Sequence, residues 1–300
     1  MKMKKSNLKG AVAPIITVFK SDESIDEKGT IEHVNFLLEK GIQGLMVCGS
    51  TGESISMTVE ERKKLAELIV QEFGNKLPIC VATGDYRTKT TIELSKHAQE
   101  IGADSVLVLV PYYMGLTKIQ VLEYYKELAK NINIPIFLYD NPYTSGIGLS
   151  VLEMKEYFDL GIIQGVKLAL GDPYQVHDLR YLCGKDFSIF YGADPCALEA
   201  LLCGAGGWIS GILNLIPKEG RELCDAAIVG KRDEAWKIWE RILPLVHLEM
   251  FLNENREPHW LPFIKSGLEA IGRKVGSPRK PMLPLSAEHK EKIKSLLAKI

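Results

Sequence analysis

The chain has 300 residues, 46% of them hydrophobic and 25% charged, with a formal net charge of −1. That balance suits a globular protein of one large or two small domains and leaves no electrostatic footprint for nucleic acid, since no basic stripe with interleaved aromatics occurs. The basic opening MKMKKSNLKG is not followed by an apolar core of signal-peptide length, and the most apolar stretch, SVLVLVPYYMG, is far too short to cross a bilayer, so the expected setting is the cytoplasm, with no membrane partner.

Eight short apolar runs follow one another: AVAPIITVF, GLMVCG, PICVATG, SVLVLVP, PIFLYD, IIQGVKLAL, FSIFYG and GGWISG. They are continuous rather than alternating, as strands covered on both faces must be. Between the second and third, TVEERKKLAELIVQEFG opens with a threonine cap followed by Glu61, keeps Leu65, Leu68, Ile69 and Phe73 on one face, and closes at Gly74. TKIQVLEYYKELAKN and SVLEMKEYFDLG share that grammar, and EKGIQGL, EIGADSV and CGAGGWI each place a glycine between a helix end and a strand. The pattern predicts an α/β chain folded as a (β/α)8 TIM barrel over residues 1–226. A doubly wound sheet is the lesser alternative, because the first strand pair lacks a GxGxxG turn. Residues 227–300 read as a C-terminal helical extension packed on the barrel or on another subunit: KRDEAWKIWERILPLVHLEMF, PHWLPFIKSGLEAIG and SAEHKEKIKSLLAKI, punctuated by Pro258, Pro262, Pro278, Pro281 and Pro284.

The six cysteines form no CxxC pair and read as reduced structural thiols, with Cys196 and Cys203 in a helical core pattern. None of the six histidines (His33, His97, His177, His247, His259 and His289) lies at metal-ligand spacing from another, so neither a metal nor a cofactor is expected.

In a barrel of this kind function sits at the C-terminal ends of the strands. The polar residues there are therefore informative: CGSTGES (Cys48–Ser54), PYYMG (Pro111–Gly115), YDNP (Tyr139–Pro142), Lys167 within GVKLAL, YGADP and GGWISG. Lys167 stands in an otherwise apolar run, where an unpaired ammonium costs several kcal/mol. A strand lysine commonly reaches solvent or pairs with a carboxylate. In low-dielectric surroundings, however, an amine is favoured in its neutral form, which attacks carbonyl carbon, and its iminium adduct withdraws electrons from neighbouring bonds. Arginine is too basic for that chemistry. The GSTGES turn is either a plain strand-to-helix connection or, with its small residues before a helix, a seat for an anion such as a carboxylate; it lacks the lysine and spacing of a P-loop. Tyr139 is either a core aromatic or a phenol competent to shuttle a proton, and Tyr112 and Tyr113 divide the same way between packing and chemistry.

Gly-Ser-Thr-Gly-Glu after the second strand, Tyr139 on the fifth and GVK on the sixth, taken jointly, resemble the dihydrodipicolinate synthase and N-acetylneuraminate lyase superfamily of pyruvate-handling class I aldolases. The match extends to the tandem tyrosines after the fourth strand and to PFIKSGLEAIG near the end. The resemblance implies that Lys167 is the Schiff-base lysine and Tyr139 the proton-transferring phenol. It also implies that Ser50 and Thr51, with Gly49 beside them, hold the 2-oxo acid carboxylate. By the same resemblance Thr51 is expected to join the proton relay, and Tyr113 matches the tyrosine that such enzymes lend across a dimer interface. Gly192 and Ile209 match backbone positions lining the pocket, and a homotetramer built as a dimer of dimers is implied. One departure stands out: dihydrodipicolinate synthases carry an arginine for the aldehyde substrate's carboxylate where this chain has Thr144, and threonine cannot make that bidentate contact. The bulky Trp208 beside Ile209 suggests, in addition, a changed substrate end.

The expected activity is that of a Schiff-base lyase acting on pyruvate plus an aldehyde, or on a 2-keto-3-deoxy acid. Three other readings stand beside it. The first is dihydrodipicolinate synthase itself, with another group such as Arg256 replacing the missing arginine. The second is a dehydratase or deaminase working through the same iminium on a 4-substituted 2-oxo acid or a pyrroline carboxylate. The third is a non-catalytic barrel that binds 2-oxo acids.

Overall fold

The computed structural model describes residues 6–254 and 260–300. Eight parallel strands close on themselves in sequential order: β1 (Gly10–Pro14), β2 (Gly44–Val47), β3 (Ile79–Ala82), β4 (Ser105–Leu109), β5 (Ile136–Asp140), β6 (Gly165–Leu168), β7 (Ser188–Tyr191) and β8 (Gly207–Ile209), with β8 pairing back onto β1. The outer shell comprises α1 (Glu27–Glu39), α2 (Val59–Phe73), α3 (Thr88–Glu100), α4 (Lys118–Asn131), the single turn α5 (Pro142–Ser145), α6 (Val151–Asp159), α7 (Tyr174–Cys183), α8 (Ala197–Leu202) and α9 (Pro217–Ile228). Three helices follow, α10 (Arg232–Glu254), α11 (Trp260–Ala270) and α12 (Ala287–Leu297). The architecture is the TIM barrel with C-terminal helices, and residue 226 falls inside α9, which continues to Ile228. No described helix is long and apolar enough to cross a membrane.

Local sequence accounts for the helix starts. Thr58 with Glu61, Thr117 with Gln120 and Ser150 with Glu153 each close a reciprocal capping box, satisfying two backbone donors at the start of α2, α4 and α6. The apolar runs are longer than the strands they contain. From AVAPIITVF only the first part pairs in β1, and Ile15–Phe19 runs on as buried chain above the barrel rim. Of the punctuating prolines, Pro262 lies within the first turn of α11, where a missing N–H is tolerated.

Strand alternation divides the core into two. Leu8, Val12, Met46, Cys80, Leu107, Phe137, Phe190 and Ile209 fill the barrel, with the rings of Phe137 and Phe190 5.3 Å apart. The neighbouring strand residues, among them Val47, Val108, Leu138, Val166, Leu168 and Trp208, face the helices in a separate, larger cluster. The barrel's lower part is therefore packed solid, and only its C-terminal rim is available to a ligand.

Candidate active site

Val166 and Leu168 face the helices, so Lys167 between them projects into the barrel. The register sets it level with Tyr139 on β5 and Phe190 on β7. Lys167 is 6% exposed, and its Nζ lies 4.3 Å from the centroid of the Tyr139 ring. Among the described residues it joins no ion pair, and Asp194 acts on it only through its charge at longer range. The electron-rich face of the tyrosine offers partial compensation. Tyr139 packs against the inner cluster, and its Oη accepts a hydrogen bond of 3.3 Å from Asn141 Nδ2.

Gly192 makes room for the lysine. A Cβ there would sit 2.5 Å from Lys167 Cε, with the Ile209 and Leu168 carbonyl oxygens at 3.2 and 3.4 Å. Gly192 N–H in turn donates to Leu168 O at 2.8 Å, tying the β7 end to β6. Ile209 belongs to the inner cluster and closes the wall beside it.

The β2 rim carries Gly49, Ser50 and Thr51. The turn is held by its own backbone, with Gly52 N–H and Ser54 N–H donating to Gly49 O and Glu53 N–H to Ser50 O. No hydrogen bond among the described residues occupies the N–H groups of Ser50 and Thr51, which leaves two adjacent donors of the kind an anion recruits. Gly49 and Thr51 are buried and Ser50 is exposed. Thr51 faces the β8 end, its Oγ1 3.3 Å from where a Cβ on Gly211 would lie. The rim thus brings Lys167, Tyr139, Thr51, Gly192 and Ile209 to one end of the barrel. Tyr113 does not join them within the chain: it stands in the β4–α4 connection, 89% exposed, with its backbone in the left-handed region at φ 86°. Its half-buried neighbour Tyr112 has its phenol pKa raised by burial, with a smaller push from Asp85.

Thr144 is exposed on α5, and Arg256 lies outside the described residues. Trp208 corrects an expectation. Strand parity turns it away from the pocket into the outer cluster, fully buried, where its Nε1 donates to Asp194 Oδ1 at 2.9 Å. Bulk at this position cannot reshape the substrate end, because the inward residue is Ile209.

Four further residues were not singled out from sequence. Half-buried Asp194, beyond the β7 end, accepts from Trp208 Nε1 and interacts with Ser210 and the buried Glu249 of α10. Desolvation raises the pKa of both carboxyls, and repulsion from Asp194 adds to the rise at Glu249. The other two, Lys265 of α11 and Arg279, converge on Glu53 of the β2 turn. Lys265 was legible by the argument that exposed Lys167: a lone cation in an apolar stretch, PFIKSG.

The fold is a closed parallel barrel with a buried lysine beside a tyrosine at its C-terminal rim, and its relatives make it a barrel enzyme of the lyase class. The model of the dihydrodipicolinate synthetase family matches residues 7–300, and the chain belongs to that family. It is 33% identical over 293 residues to the 4-hydroxy-tetrahydrodipicolinate synthase of Methanothrix thermoacetophila, spanning 97% of each chain. Among solved structures, the dihydrodipicolinate synthase from Aquifex aeolicus superposes with a TM-score of 0.91 at 29% identity, covering 97% of this chain and 98% of the other. The chloride-inhibited enzyme from Acinetobacter baumannii, complexed with pyruvate, gives a TM-score of 0.91 at 28% identity, covering 98% and 99%.

Proposed function

We propose that the protein is a Schiff-base-forming lyase that joins pyruvate to an aldehyde, or splits a 2-keto-3-deoxy acid into the same pair. The observation that carries this reading is Lys167, an amine that joins no ion pair among the described residues, enclosed at the barrel rim above a tyrosine face. Its Nζ attacks the C2 carbonyl, water leaves, and the resulting iminium accepts the electron pair released from C3. In the condensing direction C3 loses a proton and the enamine carbon attacks the aldehyde; hydrolysis then frees Lys167. In the cleaving direction the C3–C4 bond breaks as the C4 hydroxyl loses its proton. Tyr139 moves these protons, with Thr51 and the exposed Tyr113 completing the relay, the latter serving a neighbouring subunit of a dimer within a tetramer. The free N–H groups of Ser50 and Thr51, with the threonine hydroxyl, hold the carboxylate.

A second reading, 4-hydroxy-tetrahydrodipicolinate synthase itself, is supported by the names of the full-length relatives. Thr144 weighs against it, since the distal carboxylate loses an arginine. Borohydride reduction in the presence of pyruvate is expected to leave a stable adduct on the Lys167 peptide; an adduct elsewhere, or none, removes both readings. Product analysis with aspartate semialdehyde and with neutral hydroxyaldehydes then separates them. Turnover of the semialdehyde alone establishes the synthase, and ammonia or water release without any aldehyde partner points instead to elimination through the same iminium.

A further inference from the structure

The turn that presents Ser50 and Thr51 is strained, and its anchor comes from the far end of the chain. Cys48 and Glu53, on either side of it, both adopt left-handed backbone, at φ 57° and 60°, a conformation that non-glycine residues keep only when their surroundings over-determine it. At Glu53 those surroundings are visible. Its carboxylate is 3% exposed, with Oε1 2.7 Å from Nζ of Lys265, itself 2% exposed, and Oε2 accepting from the backbone N–H of Arg279 at 2.8 Å. Lys265 Nζ also donates to Ser277 O at 3.2 Å, and the Lys265 amine and Arg279 guanidinium lie 4.7 and 4.4 Å from the centroid of the Phe19 ring. The Arg279 guanidinium continues outward to Glu61 on α2 and to the carbonyls of Ser56 and Glu23. A buried carboxylate two residues from Thr51 is thus held by one side-chain cation and one backbone donor, both supplied by the segment following α10.

We infer that Glu53 and Lys265 form a positioning pair through which the C-terminal segment sets the pose of the Ser50–Thr51 turn, and with it the affinity of the site for the 2-oxo acid carboxylate. The inference rests on the reading of that turn as the carboxylate seat. The pair touches no substrate. Its effect runs through the backbone: with the anchor lost, Glu53 relaxes toward an ordinary conformation, and the adjacent Ser50 and Thr51 N–H groups shift with the turn.

The pair is testable because removing one partner orphans a buried charge, whereas removing both does not. Glu53→Gln combined with Lys265→Met is therefore the informative variant, and Lys265→Met alone is the harsher control. Borohydride trapping of pyruvate on Lys167 is measured against pyruvate concentration, with thermal melting recorded alongside. The expected result is a double variant that melts cooperatively, reaches the wild-type adduct level at saturating pyruvate, and needs at least tenfold more pyruvate for half of it. A half-saturating concentration within twofold of wild type overturns the inference, because the pair would then serve stability alone. Arg279→Ala, which keeps the backbone donor, supplies a second arm: half-saturation is expected to stay within about threefold of wild type, and a shift as large as the double variant's would overturn the role given to Lys265. Absence of any adduct on wild-type Lys167 would overturn the underlying reading, and this inference with it.

Discussion

At the scale of single residues the site depends on space as much as on charge. Gly192→Ala would place a methyl 2.5 Å from Lys167 Cε, with backbone carbonyls closing the other sides, so the lysine must move. A displacement of order 1 Å at a reacting group costs about 100-fold in rate. The expected outcome is a variant that melts close to wild type yet turns over about 100-fold more slowly; unchanged kcat/KM would show that the lysine has slack. Tyr139→Phe keeps the ring face under the amine and removes only the hydroxyl. Proton transfer by a placed group is worth about 100- to 10,000-fold, and the kcat of this variant is expected to fall in that range while the Lys167 adduct still forms. A Tyr139→Phe enzyme with full turnover would take the phenol out of the relay.

At the scale of elements, the ends of the barrel wall are joined by a buried polar contact. Asn214, just beyond the β8 rim, donates to Pro14 O and Gly211 O at 2.9 and 2.8 Å and accepts from His33 Nε2 of α1 at 2.8 Å. Burial lowers the His33 pKa from 6.5 to about 4, outweighing the opposing hydrogen bond to Asn214. Because the folded value lies below the unfolded one, the neutral ring contributes stability above about pH 6.5, and that contribution is lost as pH falls through 4. The linked free energy is about 3 kcal/mol. His33→Gln keeps a neutral donor without the titration, so its denaturation midpoint is expected to decline less than that of wild type between pH 6.5 and 4. Parallel declines would locate the acid sensitivity in other groups. The same scale marks where sequence reading thinned out. The capping boxes at Thr58, Thr117 and Ser150 were legible because they are local exchanges between a hydroxyl and a residue three positions on. The facing of Trp208 was not read correctly, since a three-residue strand leaves parity to be decided by its pairing with Tyr191 and Ala11.

At the scale of the whole molecule, Tyr113 stands 89% exposed on left-handed backbone, away from the other candidate residues of its own chain. Apolar Met114 and Ile119 and the nearby α5 residue Tyr143 are exposed at 67%, 76% and 80%. If the tyrosine serves a neighbouring site, Lys167→Ala and Tyr113→Phe protomers, each inactive or nearly so alone, are expected to regain activity when unfolded and refolded as a mixture. No recovery in hybrids verified by mass spectrometry would confine each site to one chain.

The amino-acid sequence by itself determined the barrel and its C-terminal helices, and it singled out Lys167 as the candidate nucleophile. Doubly buried strands must be continuously apolar, and a cation among them is conspicuous without any coordinates. Tertiary structure alone decided which groups meet across long chain separations: Lys265 with Glu53, His33 with Asn214, Asp194 with Glu249. Periodicity reports which face of an element is buried, but it carries no record of what lies opposite. Partners far apart in the chain, His33 and Asn214 by 181 positions, become neighbours only when the barrel closes and the last helices pack against it.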